Sequence, residues 1–144
     1  MRSTLPCVTP RQQPEQQAPP VQRLRVRYAK CGRARFTSHR DFCRAFERAL
    51  RRADVPMAYS SGFNPHPRIS YANASPTGAA TEAEYLEIGL ARECEPDAVR
   101  AALGVALPTG LDIVTIVVAE GRGLAEQLTA SEWLVGVPGL GLKR

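Results

Sequence analysis

The sequence is poor in the residues from which many active sites and cofactor sites are built. It has 144 residues with only two histidines and four cysteines. The cysteines, at positions 7, 31, 43 and 94, form no CxxC pair. This spacing is not that of a zinc or iron-sulfur site, so we expect no metal and no other cofactor. Neither His39 nor His66 lies in a pattern typical of a catalytic nucleophile, and we expect no catalytic activity of the chain's own.

Long apolar runs are also missing. No stretch approaches the roughly 18 apolar residues that a membrane span needs, and no signal-peptide stretch follows Met1. We therefore expect a cytoplasmic protein with free thiols and no membrane partner. The length predicts one domain.

The first 21 residues contain five prolines and four glutamines and little that can be buried. Such a composition does not recover the entropy cost of ordering, which predicts a disordered tail over residues 1–21. The hydrophobic pattern begins at Gln22, and we place one domain over residues 22–138 with a short tail at 139–144.

Positive charge is concentrated in one part of the chain. Residues 22–68 hold twelve Lys or Arg against three acidic residues, a local balance of +9, whereas residues 69–144 have a balance of −5. A positive region of this density attracts polyanions, either nucleic acid or an acidic protein or membrane surface.

The first predicted strand has arginines on one face. Leu24, Val26 and Tyr28 alternate with arginines at positions 23, 25 and 27, the period of a strand with one buried face. A solvated outer face and an anion-binding face are equally good interpretations of this row, because adjacent arginines repel one another unless anions are near.

A basic amphipathic helix follows the strand. Ser38 and Asp41 resemble an N-terminal cap. The core stripe consists of Phe42, Ala45, Phe46, Ala49, Leu50 and Ala53, and a second stripe at the same steps consists of Arg40, Arg44, Arg48, Arg51 and Arg52. Such a stripe is either simply solvated or an anion-binding surface.

The helix is followed by a loop, SSGFNPHPR, that two prolines stiffen. His66 lies between the two prolines, and Arg68 follows them. A rigid loop pre-organises what it displays, which is typical of binding loops. The alternative is a structural turn in which Phe63 plugs the core.

The remaining elements complete the predicted fold. Strands are expected at residues 68–73 and 84–91, a helix at 95–107 and a buried strand from Leu111. The order strand, helix, strand, strand, helix, strand predicts an α+β fold, a ferredoxin-like βαββαβ sheet with helices on one face. The segments LAEQLTA and SEWLVGV add a short C-terminal helix and a strand that has no evident partner in the chain.

Three stretches, FTSHRD, RALRRADVPMAYS and GFNPHPRISYA, closely resemble the radical-SAM-linked protein family, a domain of unknown function. The likeness covers roughly residues 22–138. Members are encoded beside, or fused to, a radical S-adenosylmethionine (SAM) enzyme, often one with a cobalamin-binding region. The resemblance therefore implies a radical SAM enzyme as partner, and the family's genomic neighbours, ribosomal-protein and ribonuclease genes, are consistent with an RNA substrate.

The leading hypothesis is a non-catalytic accessory domain that binds structured RNA and works with a radical SAM enzyme, in RNA modification. Phosphate contacts and base stacking are the components of such binding. The residues expected to contribute are Arg25, Arg27, Arg40, Arg44, Arg48, Phe63, His66, Arg68 and Tyr71. One alternative is a protein-protein adaptor that docks the enzyme through the basic face without nucleic acid. A third, by analogy of fold alone, is a ferredoxin-like RNA-processing enzyme that uses His39 or His66.

Overall fold

The computed structural model describes residue 12 and residues 14–139. This part of the chain contains four strands, two long helices, one short helix and a 3-10 turn at Gly32–Phe36. In chain order the elements are β1 (Gln22–Lys30), α1 (His39–Arg52), β2 (Ile69–Ala72), β3 (Thr81–Leu90), α2 (Pro96–Ala106), β4 (Leu111–Val118) and α3 (Leu124–Gln127). None of these helices is long and apolar enough to cross a membrane.

The strands form one antiparallel sheet in the order β2-β3-β1-β4. β1 lies in the centre, where Arg25 is opposite Glu87 of β3 and Val117 of β4. This sheet order, with the helices between β1 and β2 and between β3 and β4, is the ferredoxin-like arrangement. The predicted fold class is therefore confirmed, although β3 begins at Thr81 instead of residue 84.

One hydrophobic core lies between the sheet and the two long helices. The alternation in β1 buries Leu24, Val26 and Tyr28, which share a cluster with Phe42 and Phe46 of α1. The rings of Tyr28 and Phe42 stack with their centroids 4.3 Å apart. Because full burial of a large apolar side chain contributes about 1.5–3 kcal/mol, this alternation determines which face of β1 packs against α1.

The start of α1 is capped as predicted. The Ser38 hydroxyl accepts a hydrogen bond from the backbone N–H of Asp41 at 3.1 Å and donates one to the Asp41 carboxylate at 2.8 Å. Such a cap satisfies one of the free N–H groups at a helix start and typically contributes about 1 kcal/mol. The cap and the core stripe together set the rotation of α1, and the arginine stripe faces away from the sheet.

The second face of the sheet is partly covered, whereas the sequence predicted an open arginine face. Arg25 donates hydrogen bonds to the side-chain oxygen of Gln127, in α3, and to the backbone carbonyl of Arg122. At another point of this face, a Cβ added to Gly89 would lie 3.0 Å from the Cβ of Pro20. The segment before β1 and the segment after β4 therefore both lie on this face.

The predicted C-terminal strand at residues 131–137 is wrong, because the described part of the chain forms no strand there. A strand needs a neighbouring strand to satisfy its backbone N–H and C=O groups, and this segment pairs with neither β2 nor β4. Its apolar side chains Trp133, Leu134, Val135 and Val137 are exposed instead. The short helix predicted just before this segment is present as α3.

The predicted N-terminal tail lies largely outside the described residues. Residues 14–20 contain neither helix nor strand. Two backbone contacts connect this end to the domain: the N–H of Gln17 donates to the Ser61 hydroxyl at 2.9 Å, and the N–H of Val21 donates to the Leu90 carbonyl at 2.8 Å. Of the predicted C-terminal tail, only residue 139 is described.

Candidate nucleic-acid interface

The arginine stripe of α1 is exposed along the whole helix. Phe42, Phe46 and Leu50 are buried, and the helical period then places the intervening arginines on the outer side. The stripe consists of Arg40, Arg44, Arg48, Arg51 and Arg52, all exposed. Its exposure was predicted from the sequence, and the structure confirms it.

Little acidic charge balances this stripe. The one ion pair of a stripe residue in the described part of the chain joins Arg44 to Asp41 at 3.9 Å, and both side chains are more than half exposed. Exposed pairs of this length contribute at most about 1 kcal/mol and are screened by salt. Arg51 donates to the Glu47 backbone carbonyl at 3.4 Å, which leaves its charge unneutralised. The stripe therefore presents nearly all of its positive charge to solvent.

Arg25 of β1 is in a different situation. Its Nε lies 3.1 Å from the Glu87 carboxylate, and its side chain is only 14% exposed. Its other nitrogens bond to the side chain of Gln127 at 3.0 Å and to the carbonyl of Arg122. The Arg25 guanidinium is thus neutralised and held within the domain.

The neighbours of Arg25 on β1 each make one polar side-chain contact in the described residues. Arg23 lies 3.7 Å from Glu87 and remains mostly exposed, and Arg27 donates to the Glu82 carbonyl at 2.8 Å. These side chains alternate with the core-facing Leu24 and Val26 and therefore lie on the sheet face opposite α1. The structure thus divides the predicted arginines between two surfaces that the sheet separates.

The proline loop displays its aromatic side chain to solvent. Phe63 is 70% exposed, so the interpretation of this ring as a core plug is wrong. The loop is closed by a pair of hydrogen bonds between Ser60 and His66 and by a bridge between Tyr59 and Pro67. His66 uses backbone groups in these contacts, and both His66 and Phe63 are exposed in this loop.

Arg68 connects this loop to the sheet. Its Nε donates to the Tyr59 carbonyl at 3.1 Å. Its backbone accepts from Gly89 at 2.8 Å, and a Cβ on Gly89 would lie 3.3 Å from the Cβ of Arg68. Because Gly89 is opposite Arg23 in the sheet, Arg68 and Arg23 lie on either side of Gly89, on the sheet face opposite α1 and not on the α1 stripe.

Tyr71 lies at the edge of the core, not on the surface. Its ring is edge-on to those of Phe42 and His39, with centroids 6.2 and 5.2 Å away. Its hydroxyl is buried and has no hydrogen-bond partner of good geometry in the described residues. Burial raises the pKa of the Tyr71 hydroxyl above its ordinary value, and the Cys43 thiol beside it raises the pKa further. His39 also contacts that thiol, at 3.5 Å.

Two charged residues of the sheet are buried, which the sequence analysis did not predict. Lys30 and Glu84 are almost completely buried, and Glu84 accepts a hydrogen bond from the backbone N–H of Ser75 at 3.0 Å. Burial, and secondarily the Glu84 charge, raises the pKa of the Tyr28 hydroxyl above its ordinary value. The burial of Lys30 could have been predicted from the alternation in β1, because this pattern places Lys30 on the same face as Tyr28.

Comparison with known proteins identifies the family and no relative of known function. Neither the curated proteins nor the solved structures contain a match to this chain. A family model does match, over residues 23–143, and its description names no enzyme or ligand. The chain therefore belongs to the family described as "Uncharacterized protein conserved in bacteria (DUF2344)".

Proposed function

We propose that this domain binds structured RNA through the arginine stripe of α1 and acts as a non-catalytic accessory to a radical SAM enzyme in RNA modification. The observation that carries the proposal is the exposure of Arg40, Arg44 and Arg48, which form a single long ion pair, Arg44 with Asp41, within the described residues. The radical SAM enzyme is proposed as partner because of the sequence resemblance, and RNA is proposed as ligand because of the positive charge.

The geometry of the stripe suits a polyanion. Residues four positions apart on a helix rise about 6 Å along its axis, so the arginines form a line of separate charges. Each guanidinium is planar and donates to phosphate oxygens in pairs, which makes arginine more suitable than lysine for this contact. A line of such groups favours a ligand with regularly repeated phosphates over a single small anion.

The proline loop supplies a second kind of contact in the proposal. Phe63 is the exposed ring on which an unpaired base would stack, and His66 is a second exposed ring of the same loop. Stacking on an aromatic ring contributes about 1–3 kcal/mol per base. Tyr71 has no part in this contact, because its ring packs against Phe42 and His39.

Salt-dependent binding to an RNA hairpin tests the proposal. In the double variant Arg44→Glu and Arg48→Glu, affinity should fall at least tenfold, and the slope of log K against log salt should become shallower by about 1–2. Fluorescence anisotropy between roughly 50 and 200 mM salt measures both quantities.

The matched control is the double variant Arg92→Glu and Arg100→Glu, which changes the net charge equally at exposed positions outside the stripe. It should retain most of the affinity. Equal losses of affinity in the two double variants would show that binding depends on the net charge of the protein and not on the stripe. No change in the stripe variant would show that α1 is not the binding surface.

A second candidate, the protein-protein adaptor, is favoured by the exposed apolar segment near the C-terminus. Trp133, Leu134 and Val135 are consecutive and exposed, and contiguous apolar surface of this kind marks protein contacts. Co-purification with the radical SAM enzyme after nuclease treatment tests it. Loss of the complex in Leu134→Glu with Val135→Glu would assign docking to this segment, whereas loss in the α1 stripe variant would assign it to the basic face.

A further inference from the structure

A small groove lies between α1 and the C-terminal end of α2. Its volume is about 200 Å³. Ala45 and Ala49 of α1 form an apolar side, Val105 and Leu107 form the opposite side, and Arg48 and Arg52 line the same groove as exposed residues of the stripe. The groove therefore opens onto the proposed binding surface.

The α2 end of the groove offers hydrogen-bond acceptors. The last carbonyls of a helix have no partner within the helix, and they point along its axis beyond its end. Here Pro108 has no N–H to give to the Gly104 carbonyl, and no backbone bond to the carbonyls of Val105 and Ala106 from beyond α2 is formed in the described part of the chain. Val105 and Ala106, which carry two of these carbonyls, line the groove together with Arg48, Arg52 and the apolar side.

The volume of the groove limits the size of the ligand that it can hold. Pockets that enclose a whole drug-sized ligand or cofactor have volumes of roughly 300–1,000 Å³. A groove of about 200 Å³ accepts one unit of a longer molecule whose remainder lies outside. The line of arginines continues from Arg48 and Arg52 toward the N-terminus of α1, which indicates an anionic polymer as that molecule.

We propose that the groove holds one unpaired nucleotide of an RNA bound along the α1 stripe. The base packs on the apolar side and donates from its amino group to the free carbonyls of α2. The phosphate of the same nucleotide binds Arg48 and Arg52. This inference rests on the proposed RNA binding and deepens it: the preferred RNA is a helix with a bulged nucleotide, not a fully paired one.

The test compares two RNA hairpins that differ only by a single bulged nucleotide. The wild-type protein should bind the bulged hairpin about tenfold more tightly. In Ala45→Leu, which fills the groove, the preference should fall below twofold while the affinity for the paired hairpin is retained. Ala98→Leu, at an exposed position of α2 outside the groove, should keep the full preference. Thermal unfolding checks that both variants are folded.

The outcomes separate this inference from the proposed function. Equal binding of the two hairpins by the wild-type protein, or a full preference in Ala45→Leu, overturns the groove inference and leaves the stripe proposal intact. Absence of binding to either hairpin overturns both. Binding of an acidic amphipathic peptide that Ala45→Leu abolishes, without any preference between hairpins, would assign the groove to a protein and overturn the inference.

Discussion

Two rows of arginines lie on opposite sides of the sheet, and they differ in how their charge is balanced. The row on α1 is exposed, and in the part of the chain that the structure describes it forms one long ion pair, between Arg44 and Asp41. In the row on β1, Arg25 is mostly buried, paired with Glu87 and bonded to Gln127. The same residue type therefore has different roles in the two rows. The α1 row supplies free positive charge, whereas Arg25 in the β1 row stabilises the domain.

The difference comes from the neighbours that each secondary structure provides. A residue in the centre of a sheet has cross-strand neighbours on both sides, and the register places Glu87 directly opposite Arg25. A residue on the outer side of a helix has neighbours only along the same helix. In α1 most of those neighbours are other arginines, and their charges are left for a ligand.

The largest expected effect concerns the paired row. Replacing Glu87 by alanine leaves the Arg25 charge mostly buried without its carboxylate, which should lower the free energy of unfolding by about 2 kcal/mol. Chemical denaturation measures this change. Glu82→Ala, at an exposed position of the same strand, is the control and should change stability by less than about 0.5 kcal/mol. Equal effects of the two substitutions would contradict the distinction between the rows.

The second prediction compares the two rows in RNA binding. Neutralising two exposed charges, in Arg44→Gln with Arg48→Gln, should lower the affinity for an RNA hairpin by about tenfold, or 1.4 kcal/mol, with a shallower salt slope. Neutralising Arg25 and Arg27 in the same way should leave the salt slope within error, because Arg25 is already neutralised by Glu87 and Arg27 lies on the sheet face opposite the α1 stripe. Titrations at several salt concentrations measure both.

A steeper loss in the Arg25 and Arg27 variant than in the α1 variant would transfer the binding surface to the sheet face. Arg23 and Arg68, which lie on that face on either side of Gly89, would then be the next positions to substitute. Circular dichroism of the Arg25 variant is needed beside the titration, because loss of its hydrogen bonds affects folding.

The smallest expected effect concerns the cover over Arg25. Gln127→Ala removes one of its hydrogen bonds and should lower stability by at most about 1 kcal/mol. Amide hydrogen exchange should nevertheless become faster at residues 122–127, since few other contacts hold α3 against the sheet. Glu126→Ala, an exposed position of the same short helix, is the control. Unchanged exchange in Gln127→Ala would show that Arg25 does not hold this segment.

The local periodicities were predictable from the sequence. The alternation in β1 identified Leu24, Val26 and Tyr28 as core residues, and the three- and four-residue spacing in α1 identified both its buried and its basic side. These patterns follow from backbone geometry alone, with a period of 2.0 in a strand and 3.6 in a helix. The order of the elements was sufficient for the ferredoxin-like fold.

Contacts between distant parts of the chain could not be predicted in this way. Arg25 meets a carboxylate 62 positions further along, and the Tyr71 ring lies against α1 because β2 pairs at the sheet edge. The segment at residues 131–137 has a strand-like composition, and only the three-dimensional arrangement decides whether another strand lies beside it. The order of the charged residues along the sequence determined that residues 22–68 are strongly basic. The tertiary structure decided which of its arginines remain free, because ion pairing depends on which strands and helices become neighbours.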